Sequence, residues 1–454
     1  MNKGIIKKIA EAPAAALQKA AKETQSVSKT LKRQPPVKKL GAYWRILGPG
    51  LTTGAADDDP SGIATYSQTG AQYGNQLLWL SAFTFPLMAV VQEACARIGL
   101  VTGRGLAANI RRYFPAPVLF ACAVLLFVAN TFNLGADLGA MAKATQLLLP
   151  GLPFAFLVII FAAASVILQI FVPYKIYSKY LKWLALVLLA YIFSALSADL
   201  NWSAVIRQGI FPSLTFSREQ IFLVCGILGT TISPYLFFWQ TSQEVEEEIA
   251  EGRTTIAARQ AATNQEIKKM RIDVWSGMFF SNLVMFFIIA TCAGVLFKNG
   301  ITDIQTAEQA AAALRPFAGD LSYLFFAVGI IGVGLLAVPV LAGSAAYAIS
   351  ESFGWKEGLW RKLAGARAFY GIIIIATVVG LLTNFLGLDP IKALIYAAVL
   401  NGLVAPLVLV LIMLISGDKK IMGSRANRGP AKFFGWAVTG FMILVGVATI
   451  VFLI

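Results

Sequence analysis

Apolar residues in this chain gather into long runs separated by short polar segments, rather than falling at alternate or every-third positions. Eleven runs approach or exceed the ~20 residues that a helix needs to cross hydrocarbon. They lie near 43–73, 77–98, 116–148, 154–172, 180–197, 219–245, 272–297, 321–347, 368–386, 391–415 and 433–454. The pattern predicts an all-α polytopic membrane protein, with a transporter domain over 41–454 preceded by a separate segment over 1–40. That segment is rich in Ala, Lys and Gln and ends in Arg33-Gln34-Pro35-Pro36. It reads as a basic, mostly disordered tail, with a surface helix near Ala10–Lys22 and no apolar core of a cleavable signal peptide.

Two runs are interrupted at mid-depth. In the first, Thr52 to Thr65 reads T-T-G-A-A-D-D-D-P-S-G-I-A-T. An acid at membrane depth costs at least about 2.5 kcal/mol, so three in a row need a reason. Pro60 lacks a backbone donor and Gly62 relaxes the chain, so the helix is predicted to stop near Asp57–Asp59 and restart after Gly62. A loop between two short helices is the plain alternative, and the apolar sequence on both sides argues against it. In the sixth run, Gly226 to Tyr235 (G-I-L-G-T-T-I-S-P-Y) predicts a second break. A single Pro kink is the alternative there. Breaks in spans 1 and 6 fit a five-plus-five inverted repeat, about 43–197 and 219–415, with an extra eleventh span at about 433–454. In such a fold the two broken helices meet at a cation site.

Charge fixes an orientation. Of the 38 Lys and Arg, 32 fall on one side of the predicted membrane and 6 on the other; without the first segment the ratio is 21 to 6. The positive-inside rule puts the N-terminus in the cytoplasm and the C-terminus outside. The net charge of +15 is then a match to anionic inner-leaflet lipid and gives no reason to invoke nucleic acid. Apolar residues make up 57% and mean hydropathy is +0.71, well beyond a soluble domain. Cys95, Cys122, Cys225 and Cys292 all sit in apolar runs and read as small buried hydrophobes. With no His, His-ligated zinc, His-ligated haem and His proton relays are excluded. No G-x-G-D motif of an intramembrane aspartyl protease is present. The chain reads as no enzyme and as needing no cofactor.

Several motifs carry a family resemblance. G-P-G-L at Gly48–Leu51, A-A-D-D-D-P-S-G at Ala55–Gly62, T-G-A-Q-Y-G-N-Q-L-L-W at Thr69–Trp79, Q-E-A-C-A-R-I-G-L-V-T-G-R at Gln92–Arg104 and the run Gly229–Tyr235 resemble the Nramp family of divalent-metal transporters. The resemblance runs from about residue 44 to the last span and implies a LeuT-type fold. It also implies a metal set at Asp59, Ala56, Gly62, Thr230 and Ser233, with Asp57 and Asp58 adding negative field. The departures are specific. The family motif D-P-G-N is here Asp59-Pro60-Ser61-Gly62, so Gly62 replaces an Asn ligand. In A-x-x-M-P-H the ligand Met has become Ser233 and the His has become Tyr235. Asn133 and Ala136 stand where the family has proton-path acids, with Asp137 one residue away. These losses resemble the Nramp-related magnesium transporter clade.

Chemistry points the same way. A thioether favours softer ions than Mg²⁺, and Mg²⁺ usually keeps several of its waters. The expectation is a uniporter importing hydrated Mg²⁺, and Mn²⁺, across a prokaryotic plasma membrane by alternating access. A proton-coupled Mn²⁺/Fe²⁺ carrier and a LeuT-type amino-acid transporter are the alternatives, and a channel is left open. Glu93 and Arg97 read as a helix-surface ion pair or a gating contact, and Gln243–Glu248 as a solvated acidic helix end or a cation-gathering mouth. Gly329, Gly332, Gly334 and Gly343 suggest close helix packing. Asn384 and Asn401 either bond across helices or face the pathway.

Overall fold

Among residues 48–172, 176, 186–213 and 215–453, which the computed structural model describes, every regular element is helical. The first segment (1–40), the start of span 1 and the first part of span 5 lie outside these residues. The first span is two helices, α1 (Pro49–Asp57) and α2 (Pro60–Tyr73). After it come α3 (Trp79–Thr102), the short α4 (Leu106–Tyr113), α5 (Ala116–Leu148) and α6 (Phe154–Phe171). The described part of span 5 is a short 3₁₀ turn leading into α7 (Leu189–Ser197), followed by α8 (Trp202–Ile210). The sixth span is again two helices, α9 (Arg218–Thr231) and α10 (Pro234–Ala250). The rest are α11 (Asn264–Val295), α12 (Ser322–Phe353), α13 (Arg367–Thr383), α14 (Pro390–Gly417) and α15 (Gly429–Leu453).

Among the described residues each run contains helix, and both expected breaks are present. Eight spans among the described residues are long and apolar enough to cross a membrane by themselves. The other three are the split first span, the partly described fifth and the shorter α13. This is the all-α arrangement, broken at spans 1 and 6, expected of a LeuT-type fold. Two boundaries move. Span 7 begins at Asn264 rather than 272, because Thr263 and Glu266 form a capping box that starts the helix in polar sequence. Span 8 continues to Phe353, where Gly354 at φ 71° ends it.

Small residues set how closely the helices approach. A Cβ at Gly54 on α1 would lie 2.4 Å from the Gly277 carbonyl oxygen on α11, and one at Gly277 would lie 2.1 Å from that of Gly50. Gly229 on α9 is equally tight against Ala398 and Gly402 on α14. The expected packing role holds for Gly334, against Met141 and Pro60, and for Gly343, against Trp239. Gly329 has only ordinary contact with Val187 and Leu188.

Gly54→Leu is expected to destabilise the fold by about 1–3 kcal/mol or more through overpacking. Gly371→Leu, where nothing lies within 4 Å, should not. Thermal unfolding of the two variants in detergent checks this, and equal midpoints would count against the α1–α11 contact.

Candidate functional site

The first break is built around Asp59, the N-cap of α2, with φ −65° and ψ 171°. Its Oδ1 accepts from the Gly62 amide at 2.7 Å and from the Ser61 hydroxyl at 2.6 Å. Pro60 sits at the first helical position, where its missing N–H costs nothing. Oδ2 accepts from Asn133 Nδ2 on α5 at 3.0 Å. The Tyr235 hydroxyl on α10 donates to the Ala56 carbonyl at 3.0 Å and lies 3.4 Å from the same Oδ2. One carboxylate thus joins both broken helices and α5, and its donors are hydroxyl and amide groups.

The three aspartates do not converge. Successive residues leave a helix end about 100° apart. The Ser281 hydroxyl on α11 donates to Asp57 Oδ2 and lies 3.4 Å from Asp58 Oδ1. Asp57 and Asp58 therefore face α11, while Asp59 faces α5 and α10. Among the described residues, no three Asp, Glu, Cys or His side chains share a point that would hold a metal. Any contribution of Asp57 and Asp58 to a bound ion would be at a distance.

The remaining expected positions are brought close but are shut. Ser233 is the N-cap of α10, and its hydroxyl donates to the Gly229 carbonyl. A Cβ at Gly62 would meet Thr230 Oγ1 at 3.0 Å and the Asp57 carbonyl oxygen at 3.3 Å. The space expected at Gly62 and Ser233 is filled in this conformation, by Thr230 and by the turn of α9. Ala136 is a buried methyl. Asp137 beside it is fully buried, and neither of its oxygens has a hydrogen-bond partner of normal geometry. Asp59 and Ser233 are fully buried as well. A cavity of about 300 Å³ lies towards one end, lined by Gln68, Arg218, Glu219, Asp303 and Lys392. Another of about 260 Å³ lies towards the other, lined by Arg104, Arg111, Glu246, Arg259 and Glu351. Neither is lined by Asp59 or Ser233, so the site is closed from both.

Other constellations resolve differently from expectation. Glu93 and Arg97 are 3.2 Å apart but buried, not on a helix surface. Glu93 also accepts from Arg271 at 2.8 Å and from Trp275 Nε1 at 2.8 Å, and Arg97 donates to Asn427. Three segments are joined there: α3, α11 and the stretch before α15. The acidic end of α10 is no simple solvated end. Glu244 and Glu248 are buried, and Glu246 accepts from the Tyr347 hydroxyl and from the amides of Leu359 and Trp360. Glu246 thereby anchors the segment after α12. Outside the spans, burial raises the Glu357 carboxyl above its usual range. Asn384 donates to the Gly135 carbonyl across helices. Asn401 is buried without a hydrogen-bond partner.

Two residues escaped sequence reasoning. Asp273 on α11 accepts from the amides of Gly50 at 2.7 Å and Leu51 at 3.0 Å, capping α1 from another helix. Its signal was an acid near the start of an apolar run. Ser281 left no signal, because a serine in a span is ordinary.

With this geometry described, comparison with known proteins is informative. Residues 50–452 match the family described as natural resistance-associated macrophage protein-like, Nramp. A divalent metal cation transporter MntH of Yersinia enterocolitica is 27% identical over 413 residues, covering 88% of this chain and 93% of that protein. The crystal structure of a manganese transporter of Eremococcus coleocola, bound to an aromatic bis-isothiourea substituted compound, superposes with a TM-score of 0.70 at 18% identity. It covers 89% of this chain and 85% of the other. A mutant of that transporter gives 0.68 at 17% identity, with the same coverage. At such identities these structures establish a shared fold.

Ser281→Ala leaves Asp57 and Asp58 without their shared donor. The expected loss is about 1–3 kcal/mol of stability, the cost of an unsatisfied buried acceptor. Thermal unfolding measures it; an unchanged midpoint would show that this hydroxyl does not hold the break.

Proposed function

This chain belongs to the Nramp family, and from that premise we propose that it carries a divalent metal ion across a prokaryotic plasma membrane by alternating access, with its N-terminus in the cytoplasm and its C-terminus outside. The observation that carries this reading is the Asp59 carboxylate, buried at a helix break and tied to both broken helices and to α5. A cation arriving at Oδ2 displaces weak donors. Tyr235 stands at 3.4 Å, and the Asn133 amide carries an unpartnered Oδ1 that a half-turn would present to the ion. The carbonyls of Ala56 and Thr230 and the Ser233 hydroxyl would complete an all-oxygen set once the helices part. Domain limits follow the same reading: repeats at about 43–197 and 219–415, and an extra span at about 433–454.

The finer proposal is hydrated Mg²⁺, with Mn²⁺ also carried, as in the Nramp-related magnesium clade. It rests on Ser233 and Gly62 standing where soft or larger ligands would be. A hard cation that keeps its waters needs oxygen acceptors and space more than a thioether. Uniport is proposed from the lack of His, from Tyr235, and from Asn133 and Ala136. An inside-negative potential supplies enough drive, about 4.6 kcal/mol for a divalent ion per 100 mV. One observation favours a second reading, a proton-coupled Mn²⁺/Fe²⁺ carrier: Asp137 is a buried carboxylate beside the site.

Proteoliposomes with a clamped potential and an internal pH-sensitive dye separate the two. Metal uptake with a silent dye is expected; metal-driven acidification that vanishes with Asp59→Ala would establish coupling instead. Asp59→Ala should reduce Mg²⁺ and Mn²⁺ uptake to background while the protein remains monodisperse, and full uptake would refute the site. Ser233→Met combined with Gly62→Asn should shift preference from Mg²⁺ towards Mn²⁺, read as the ratio of uptake rates.

A further inference from the structure

A groove of about 490 Å³ opens where the α4–α5 corner meets the end of α14 and the start of α15. It is separate from the site at the breaks, since no residue lining it belongs to α1, α2, α9 or α10. Met413 and Leu414 on α14, Phe114 in the corner and Ile421 give it apolar walls. A small residue seats α15 against them: a Cβ at Gly435 would lie 2.4 Å from the Met413 sulfur. The remaining edge is polar. Lys432 and Trp436 on the first turns of α15, and Tyr113 at the end of α4, line the same groove. All three are exposed, and among the described residues none of Lys432 Nζ, Trp436 Nε1 and Tyr113 Oη meets a hydrogen-bond acceptor. Tyr and Trp, with one apolar end and one wet end, belong at the depth of lipid headgroups.

Charge there is one-sided. Residues 411–436 hold five Lys and Arg against one acid, Asp418. Asp418 accepts from the Lys420 amide at 2.7 Å. Among the described residues none of the five cations is in an ion pair. Apolar walls, interfacial donors and unneutralised cations together match a phosphodiester attached to hydrocarbon. A metal cation would be repelled by that charge. Residues 1–40, with ten Lys and Arg against two acids, are equally unsuited to it. We propose that this groove binds one anionic phospholipid of the adjacent leaflet, with its phosphate on Lys432, Trp436 and Tyr113 and an acyl chain along Leu414 and Ile421. Basic recesses between spans suit such headgroups. The lipid then bridges the α4–α5 corner to α15. Occupancy of this groove does not depend on which ion is carried.

To test this, the full-length protein in detergent is incubated with phosphatidylglycerol or phosphatidylcholine of identical acyl chains. Bound lipid is counted by native mass spectrometry, with thermal unfolding in parallel. The parent should retain one phosphatidylglycerol per chain in preference to phosphatidylcholine, and its unfolding midpoint should rise with phosphatidylglycerol alone. Lys432→Gln should weaken phosphatidylglycerol retention by about fivefold, the worth of one lysine near an anionic surface, and Lys432→Arg should restore it. Lys356→Gln, at an exposed lysine outside the groove, should change nothing. Equal retention of the two lipids by the parent would overturn the inference, as would parent-like retention in Lys432→Gln. Equal losses in Lys432→Gln and Lys356→Gln would overturn it too, because diffuse surface charge gives that result. A lipid-free dimer, with a second copy covering the groove, is the remaining contrary outcome. Should Lys432→Gln fail to fold, Trp436→Phe decides. It keeps a ring and removes the donor, so weakened retention supports the site and parent-like retention overturns it.

Discussion

The constraint on which the rest depends is that three adjacent carboxylates are buried at mid-membrane depth. Each must find donors or a cation there, because an unsatisfied charge in that medium costs several kcal/mol. The chain solves this by stopping the helix. A break frees backbone amides, and the Gly62 amide goes to Asp59. It also turns successive side chains to different neighbours, so that Ser281 serves Asp57 and Asp58 while Asn133 and Tyr235 serve Asp59. The close glycine contact between α1 and α11 follows from the same need. Ser281 can reach the break only if the two backbones nearly touch, as they do at Gly54 and Gly277.

Tyr235 couples the two breaks. Its ring belongs to the second half of span 6, and its hydroxyl ends on the last turn of the first half of span 1 and on the carboxylate. A phenol does this without carrying charge at neutral pH. The second break has a quieter chemistry: Ser233 returns its hydroxyl to its own chain at Gly229. So one break holds the charge and the other supplies the polar roof over it.

Much of this was legible in the sequence, for identifiable reasons. The described helices follow from apolar run length, and both breaks follow from Pro and Gly within apolar sequence, which are local properties. Asp59 was legible because an acid beside Pro at membrane depth has few structural reasons to exist. The partners were not legible. Ser281 is 224 residues from Asp57, and nothing local distinguishes it from other serines in spans. The acidic end of α10 was only partly legible for a related reason. Composition suggested a solvated end or a cation-gathering mouth, and could not show that Glu246 caps the amides of Leu359 and Trp360, a contact set by chain topology. The packing around Gly62 was equally hidden, because glycine in a sequence tells of absent atoms and not of what fills their place.

The cap on α1 has a consequence for motion. Its first amides are held by Asp273, a residue of α11, rather than by a side chain of α1 itself. A helix with a borrowed cap cannot leave its lender without exposing those amides, which must then find other acceptors. Water can supply them only at the end of the bundle where Pro49 lies, not at the apolar depth of Asp57. A swing of α1 away from α11 is therefore least costly as a hinge at the Asp57–Asp59 break, with the Pro49 end moving outward into water. The same acid that starts the helix thus gives its displacement a direction.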